Sequence, residues 1–221
     1  MTSSRTPAEI MRQRRVMRGL ARLYPGAATA LQHCNPFELL VATILSAQAN
    51  DKTINEITPA LFKKYPHAPA LAAAAPAELE KLILRSGFFR SKAKNLLGCA
   101  QALVQHHGGQ VPQTMAELVA LPGVGRKTAN VVLGNAFGKN EGVVVDTHVR
   151  RLSQRLGFTS HTLPEKIEQD LIKIVPKKTW TIFSHQLILH GRQICQARKP
   201  KCPDCLLAPD CPAGQIFLRK I

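Results

Sequence analysis

At 221 residues with 45% hydrophobic side chains, the chain is long enough for one large or two small domains around a sizeable core. Thirty Lys and Arg against fourteen Asp and Glu leave a formal net charge of +16. The excess is spread through the chain rather than gathered in a tail, so it suits a polyanion such as nucleic acid better than it suits a merely solvated basic surface. No run approaches the ~20 apolar residues of a membrane-spanning helix, and the start MTSSRTPAEIMRQRR lacks the apolar stretch of a secretory signal. A folded, soluble protein of the reducing cytoplasm, with no membrane partner, is the expectation.

Helix signals dominate from the first residues onward. Thr6 and Glu9 form a capping-box pattern that opens a basic helix towards Leu23, stopped by Tyr24-Pro-Gly26. Asn35-Pro-Phe-Glu38 reads as an N-cap with proline in the first turn, leading an apolar helix through Leu39, Leu40, Ile44 and Leu45. Asp51 can start the next helix, to about Lys64. Pro76 can open one that ends near Gly87, and Ser91 can cap another that stops at Gly108-Gly109. The Ala-rich stretch around residues 70 to 77 reads only as helix packing. Apolar spacing supports a short helix from Met115 to Leu121 and a second from Arg126 to Phe137. Val143-Val-Val145 could form a strand, but one short run makes no sheet, and Asp146 behind it reads as the N-cap of a helix to Leu156. Thr162-Leu-Pro-Glu165 is a further capping-box pattern, and a long helix should span roughly Thr179 to Ile194. The fold class expected is all-α.

Between the two helices that flank residue 123 lies Leu121-Pro-Gly-Val-Gly-Arg-Lys127. Gly123 and Gly125 would let the backbone turn tightly and present amides at a helix start, where the dipole favours an anion. A plain connector would look much the same. Arg126, Lys127 and the charge balance tip the reading towards a DNA-backbone contact, which positions a protein without reading sequence. Lys127 falls in the first helical turn, where the positive end of the dipole opposes an ammonium and partial burial would act the same way, favouring a neutral, nucleophilic amine. An isolated lysine can equally be a phosphate contact. As an N-cap, Asp146 would be held ionised and oriented by backbone amides, which also suits it to stabilise a cationic sugar or relay a proton. His148 reads as a packing or hydrogen-bonding residue.

The most specific local signal is at the C-terminal end, where Cys195, Cys202, Cys205 and Cys211 stand at C-x6-C-x2-C-x5-C. In a reducing compartment this reads as metal binding rather than disulfides. Structural zinc generally takes two close ligand pairs. A single C-x2-C flanked by longer spacings tilts the reading towards a [4Fe–4S] cluster. Arg192, Arg198, Lys199 and Lys201 would offset the thiolate charge or face DNA. Cys34 and Cys99 lie in apolar contexts and are expected to be buried structural thiols.

Taken together, LPGVGRKTANVV at 121–132, VDTHVRR at 145–151, LILHGR at 187–192 and the four-cysteine tail resemble the endonuclease III family of DNA glycosylases, and NPFELL at 35–40 with LSAQ at 45–48 extends the likeness. The resemblance runs from about residue 15 to 212. It implies two helical domains with a DNA groove between them. One is a six-helix barrel over residues 29–140 carrying the helix-hairpin-helix, and the other is an iron–sulfur domain built from residues 1–28 and 141–221. It further implies base excision on double-stranded DNA with damaged bases or abasic sites, by a monomer that is nucleoid-associated if bacterial. Lys127 would attack the sugar C1′ of a flipped oxidised pyrimidine nucleotide, expel the base and form a Schiff base that permits β-elimination, with Asp146 assisting both stages. Gln48 would fill the gap left by the extruded nucleotide, and Phe88, where the family commonly has leucine, would wedge into the stack. Asn50 stands where many relatives carry threonine.

Three other readings share some of these features. An adenine-removing relative would have the hairpin and cluster but generally lacks the lysine and carries a further C-terminal domain. A non-catalytic DNA-binding module would use the hairpin for backbone contact and the metal centre as a staple. An electron carrier would leave the basic surface and hairpin without a purpose.

Overall fold

The computed structural model describes residues 5–219, so the first four residues of the basic N-terminal stretch lie outside it. The described residues are all-α, as expected, and contain no strand. In chain order the helices are α1 Pro7–Leu23, α2 Pro36–Leu45, α3 Asp51–Lys64, α4 Ala68–Ala72, α5 Pro76–Ile83, α6 Phe89–His107, α7 Met115–Val119, α8 Arg126–Phe137, α9 Thr147–Arg155, α10 Pro164–Ile172, α11 Trp180–Gln193 and α12 Pro212–Leu218. Val143–Val145 is extended loop, and the Val144 amide donates to Ser184 Oγ at 3.1 Å. The chain divides into two compact units, one of residues Thr29–Glu141 and one of residues up to Ala28 together with those from Gly142 onward.

Local chemistry accounts for most helix ends. At α1 the Glu9 amide donates to Thr6 Oγ1 (3.2 Å) while the Thr6 amide donates back to Glu9 Oε2 (2.8 Å), a complete capping box. Asn35 caps α2, Asp146 caps α9, and Asn50 caps α3 by accepting the Lys52 amide at 2.9 Å. The C-terminus of α6 closes with left-handed Gly108 and Gly109, the Gly109 amide reaching back to the Leu103 carbonyl at 2.9 Å.

Two starts differ from the sequence reading, and two helices have starts it does not mark. Helix α6 begins at Phe89, with Phe88 in the N-cap position, so Ser91 lies inside the first turn instead of capping it. Helix α10 begins at Pro164, and its N-cap Leu163 makes no side-chain cap bond; proline at the first helical position sets the start there, one residue too late for Thr162 to serve. Within the Ala-rich stretch, His67 caps the five-residue α4 by accepting the Ala70 amide. Helix α12 starts at Pro212, with Cys211 Sγ accepting the Gly214 amide at 3.2 Å.

The core of the 29–141 unit is built on α2, which buries every residue from Phe37 to Leu45 except Glu38 and packs against α3, α6 and α8. An apolar helix buried nearly all round is the expected centre of a helical domain. The second unit packs α1 and α9 on α11, around Val16, Leu20, Leu152 and Leu187, all fully buried. Its two chain segments are joined by α1. Arg12 donates to the carbonyls of Leu156 (2.7 Å), Gly157 (3.1 Å) and Asp210 (3.0 Å), and Arg15 pairs with the Asp210 carboxylate at 2.7 Å.

Of the two cysteines outside the tail, Cys99 is buried in the first core, where desolvation pushes its thiol up to about 12. Cys34 is exposed, contrary to the apolar context of its neighbours, because it sits in the loop ahead of α2. A maleimide reagent applied to the native protein should therefore modify Cys34 and leave Cys99 intact until denaturant is added. Peptide mapping by mass spectrometry reads this directly, since the thiolate is the reacting form.

Candidate functional site

In the 29–141 unit the hairpin between α7 and α8 has a defined turn. The Val124 amide donates to the Leu121 carbonyl at 3.1 Å, Pro122 occupies the second position, and Gly123 takes the third with φ +78°. That is a type II turn, which requires a left-handed residue at its third position. A Cβ on Gly123 would also lie 2.8 Å from Asn95 Cβ. Leu121 and Val124 are buried, so the turn is anchored to its own domain by apolar side chains. Gly123→Ala combines backbone strain with this clash. It should lower the stability of this unit by about 1–3 kcal/mol and weaken DNA binding, both checked by denaturant unfolding and a binding titration.

Gly125 has a different role from the one its sequence position suggests. Its φ of −93° is ordinary extended backbone, and nothing within 4 Å would meet an added Cβ. It is the N-cap of α8 and offers no side-chain oxygen to the first turn. Open space beside helix-start amides is a setting in which an anion can approach the backbone closely. Arg126 and Lys127 come immediately after it, both exposed, so the partial burial expected for Lys127 is not met. Gln48 and Phe88 are also exposed on this unit, in the turn after α2 and ahead of α6 respectively. Both are non-glycine residues with positive φ, 54° and 48°. Such outliers are uncommon away from functional sites.

In the other unit Asp146 is half-buried, and its Oδ1 accepts the Val149 amide at 2.8 Å, which orients the carboxylate. His148 Nδ1 accepts from Arg151 Nη2 at 3.2 Å. Burial is the main influence holding His148 below its ordinary value, aided by Arg151 and Arg192 and opposed by the Asp146 charge. Arg151 Nη2 also donates to the carbonyls of Gly191 and Cys195, both at 3.0 Å. Gly191 is required for that packing, since a Cβ there would stand 2.9 Å from His148 Nδ1. Sequence reasoning passed over His185 on α11. Burial depresses it while the Asp146 charge opposes the shift, so the Asp146 carboxylate has two imidazoles in its field. No sequence spacing marks His185, which reaches that field only through the docking of α9 on α11.

Cys195, Cys202, Cys205 and Cys211 line a single small cavity with His190, Leu156 and Lys201. Burial is the first cause raising the thiols of Cys202, Cys205 and Cys211, and the charge of Cys195 raises all three further. Four soft donors in one pocket, with ionisation disfavoured at Cys202, Cys205 and Cys211, fit a cationic centre that would hold them as thiolates. Donors are already aimed at the sulfurs. Arg155 Nη1 reaches Cys195 Sγ at 3.3 Å and the Gly214 amide reaches Cys211 Sγ at 3.2 Å. His190 Nε2 lies 3.5 Å from Cys205 Sγ, and its Nδ1 lies 3.1 Å from the Tyr24 hydroxyl. Burial pushes His190 down to about 4, so near neutrality it carries one ring proton. Held as a thiolate, Cys205 could only accept, and that proton would then belong on Nε2, with Tyr24 donating to Nδ1. Arg155, which places a cation on a cysteine sulfur, belongs to α9, forty residues before Cys195.

Known proteins share this organisation. The family model of the HhH-GPD superfamily base excision DNA repair proteins matches residues 41–177. Endonuclease III of Synechocystis sp. is 56% identical over 196 residues, covering 89% of this chain and 90% of that one. Endonuclease III of Escherichia coli strain K12 is 43% identical over 190 residues, 85% of this chain and 88% of the relative. Among solved structures, a non-covalent endonuclease III–DNA complex superposes with a TM-score of 0.90 at 42% identity, over 95% of this chain and 98% of that one. A trapped endonuclease III–DNA covalent intermediate, with an estranged adenine, superposes equally well at 0.90. With identity of this order along nearly the whole length, the chain belongs to the endonuclease III family, within the HhH-GPD superfamily of base excision DNA repair proteins.

Proposed function

We propose that the protein is a bifunctional DNA glycosylase and abasic-site lyase of base excision repair, acting on oxidised pyrimidines in double-stranded DNA. The observation that carries this reading is an exposed Lys127 in the first turn of α8, directly behind the hairpin, in a chain whose family includes a trapped covalent DNA intermediate. In the neutral form the amine attacks C1′ of the flipped nucleotide, and the glycosidic bond breaks with its electron pair leaving on the base. Opening of the sugar ring gives an iminium. Loss of a proton from C2′ then drives out the 3′ phosphate, and water releases Lys127. Asp146, oriented by the Val149 amide, stabilises cationic charge on the sugar and assists proton transfer.

Around that chemistry, Gly123, Gly125 and Arg126 grip the phosphate backbone, Gln48 enters the gap left by the extruded nucleotide, and Phe88 wedges into the stack. The 29–141 unit serves as the helix-hairpin-helix barrel and the other unit as the iron–sulfur domain. Cys195, Cys202, Cys205 and Cys211 hold a [4Fe–4S] cluster. Four soft donors around one cavity, with a single C-x2-C pair between spacings of six and five, favour a multinuclear centre over zinc. When bound, the cluster supplies a cationic core that binds four thiolates and locks the tail. A cytoplasmic monomer, nucleoid-associated if bacterial, is in keeping with a +16 chain that has no helix long and apolar enough to cross a membrane among the described residues.

The test is incubation with a duplex carrying one oxidised pyrimidine, with and without borohydride. Strand cleavage 3′ to the lesion, together with a covalent protein–DNA adduct under reduction, is the expected result. Base release with neither cleavage nor adduct would reassign the protein as a monofunctional glycosylase.

A further inference from the structure

Lys92, the fourth residue of α6, is only 5% exposed, an unusual position for an ammonium. Its Nζ donates to the Leu45 carbonyl at 2.8 Å and to the Ser86 carbonyl at 2.6 Å. Leu45 is the last residue of α2, and Ser86 ends the short 3-10 turn Leu84–Ser86 that comes after α5. Helix ends leave carbonyls without an intrahelical partner, so one cation serves the ends of two elements that lie far apart in sequence. The Lys92 amide also donates to the Phe88 carbonyl at 3.0 Å.

Each of these carbonyls sits at the base of a loop with a left-handed residue. Three residues beyond Leu45 is Gln48 and two beyond Ser86 is Phe88, the two non-glycine residues with positive φ among those described, and both are exposed. Left-handed backbone at such residues persists only where the surroundings hold it. A buried ammonium bonded to both loop bases does that for the two at once. A methionine would fill the same space without the cost of taking a charge out of water, but it could hold neither carbonyl.

We propose that Lys92 is a positioning residue, a buried cationic clamp that sets the spacing and aim of the Gln48 and Phe88 loops so that both side chains enter the duplex together. This rests on the proposed function, in which Gln48 and Phe88 face DNA. The clamp itself is a property of the free protein.

Two measurements on the full-length protein separate the two claims. In hydrogen exchange without DNA, Lys92→Met should accelerate the amides of residues 46–49 and 86–89 together, leaving the hairpin at 121–125 unchanged. Exchange unchanged in either loop overturns the clamp, whatever the enzyme does. In single-turnover excision from a duplex with 2-aminopurine beside the lesion, Lys92→Met should slow base release and the fluorescence rise by on the order of 10²-fold, the scale of a ~1 Å misplacement. The same substitution in a Gln48→Ala/Phe88→Ala background should change the rate by less than about twofold, because its effect acts through those side chains. An equal loss in both backgrounds overturns the proposal in favour of a general structural role. A wild-type enzyme that neither cuts nor traps would sink the proposed function and leave the exchange result to judge the clamp. If Lys92→Met does not fold, Lys92→Gln, whose neutral amide nitrogen stands one bond nearer the backbone and brings no charge to the two carbonyls, takes its place in both measurements, and Lys92→Arg should recover most of the rate.

Discussion

Lys127→Ala should abolish the borohydride-trapped adduct and slow base release by on the order of 10³-fold, equivalent to about 4 kcal/mol of transition-state stabilisation. The size comes from the role. A covalent route divides a difficult displacement into easier steps, and alanine leaves only whatever water and the remaining electrostatics can do. DNA binding should survive, because the hairpin offers backbone amides and a type II turn built on Gly123, none of which depends on the residue 127 side chain. Neither should folding suffer, since Lys127 is exposed and its helix is anchored by buried Ala129, Val132 and Leu133. The measurement is a single-turnover time course on lesion duplex beside a binding titration on the same duplex. A variant that still traps DNA would move the amine elsewhere, and one that loses binding in proportion to activity would recast Lys127 as a phosphate contact.

Cys205→Ser should strip iron and sulfide from the protein and destabilise the unit built from both chain ends by several kcal/mol, a part of the roughly 10 kcal/mol or more that metal ligation contributes to small metal-bound folds. The effect should spread beyond the tail. Cys211 belongs to the apolar core of that unit, Cys195 and Cys205 pack against it, and Arg12 and Arg15 fasten α1 to the carbonyl and carboxylate of Asp210, the residue before Cys211. Losing the proposed centre should therefore loosen α1 as well as the loop. Iron and sulfide analysis of protein purified without oxygen, together with urea unfolding followed in α1, would check both halves. Cys34→Ser, an exposed change far in sequence from the tail, should retain full iron content. Stoichiometric zinc without iron in the wild type would refute the cluster.

The chemistry of the family was legible wherever it depends on residues close together in the chain. The Thr6–Glu9 box, the Asn35 and Asp146 caps, the Pro122-Gly123 turn and the Gly108-Gly109 stop are local hydrogen-bond problems with few solutions, and each has the geometry its residues imply. Local pattern misled where neighbouring elements competed. Ser91 lost the cap of α6 because left-handed Phe88 starts the helix earlier, and Thr162 lost its box to the proline at 164. Gly125 resembles Gly123 in sequence but has ordinary backbone, so its glycine answers to open space rather than to φ.

The helical class, most helix ends, the Pro122-Gly-Val-Gly125 hairpin, the lysine and aspartate at helix starts and the gathering of four cysteines near one end can all be read from short stretches of sequence. Folding is what brings Arg155 of α9 onto a cysteine sulfur, and Tyr24, which the sequence marked only as a helix stop, to Cys205 through His190. Lys92 likewise became the shared donor to the Leu45 and Ser86 carbonyls only on folding. The physical reason is common to all three. Capping and turns are satisfied within a few residues, whereas a buried donor takes whichever acceptor packing brings within about 3 Å, and that partner can lie anywhere along the chain.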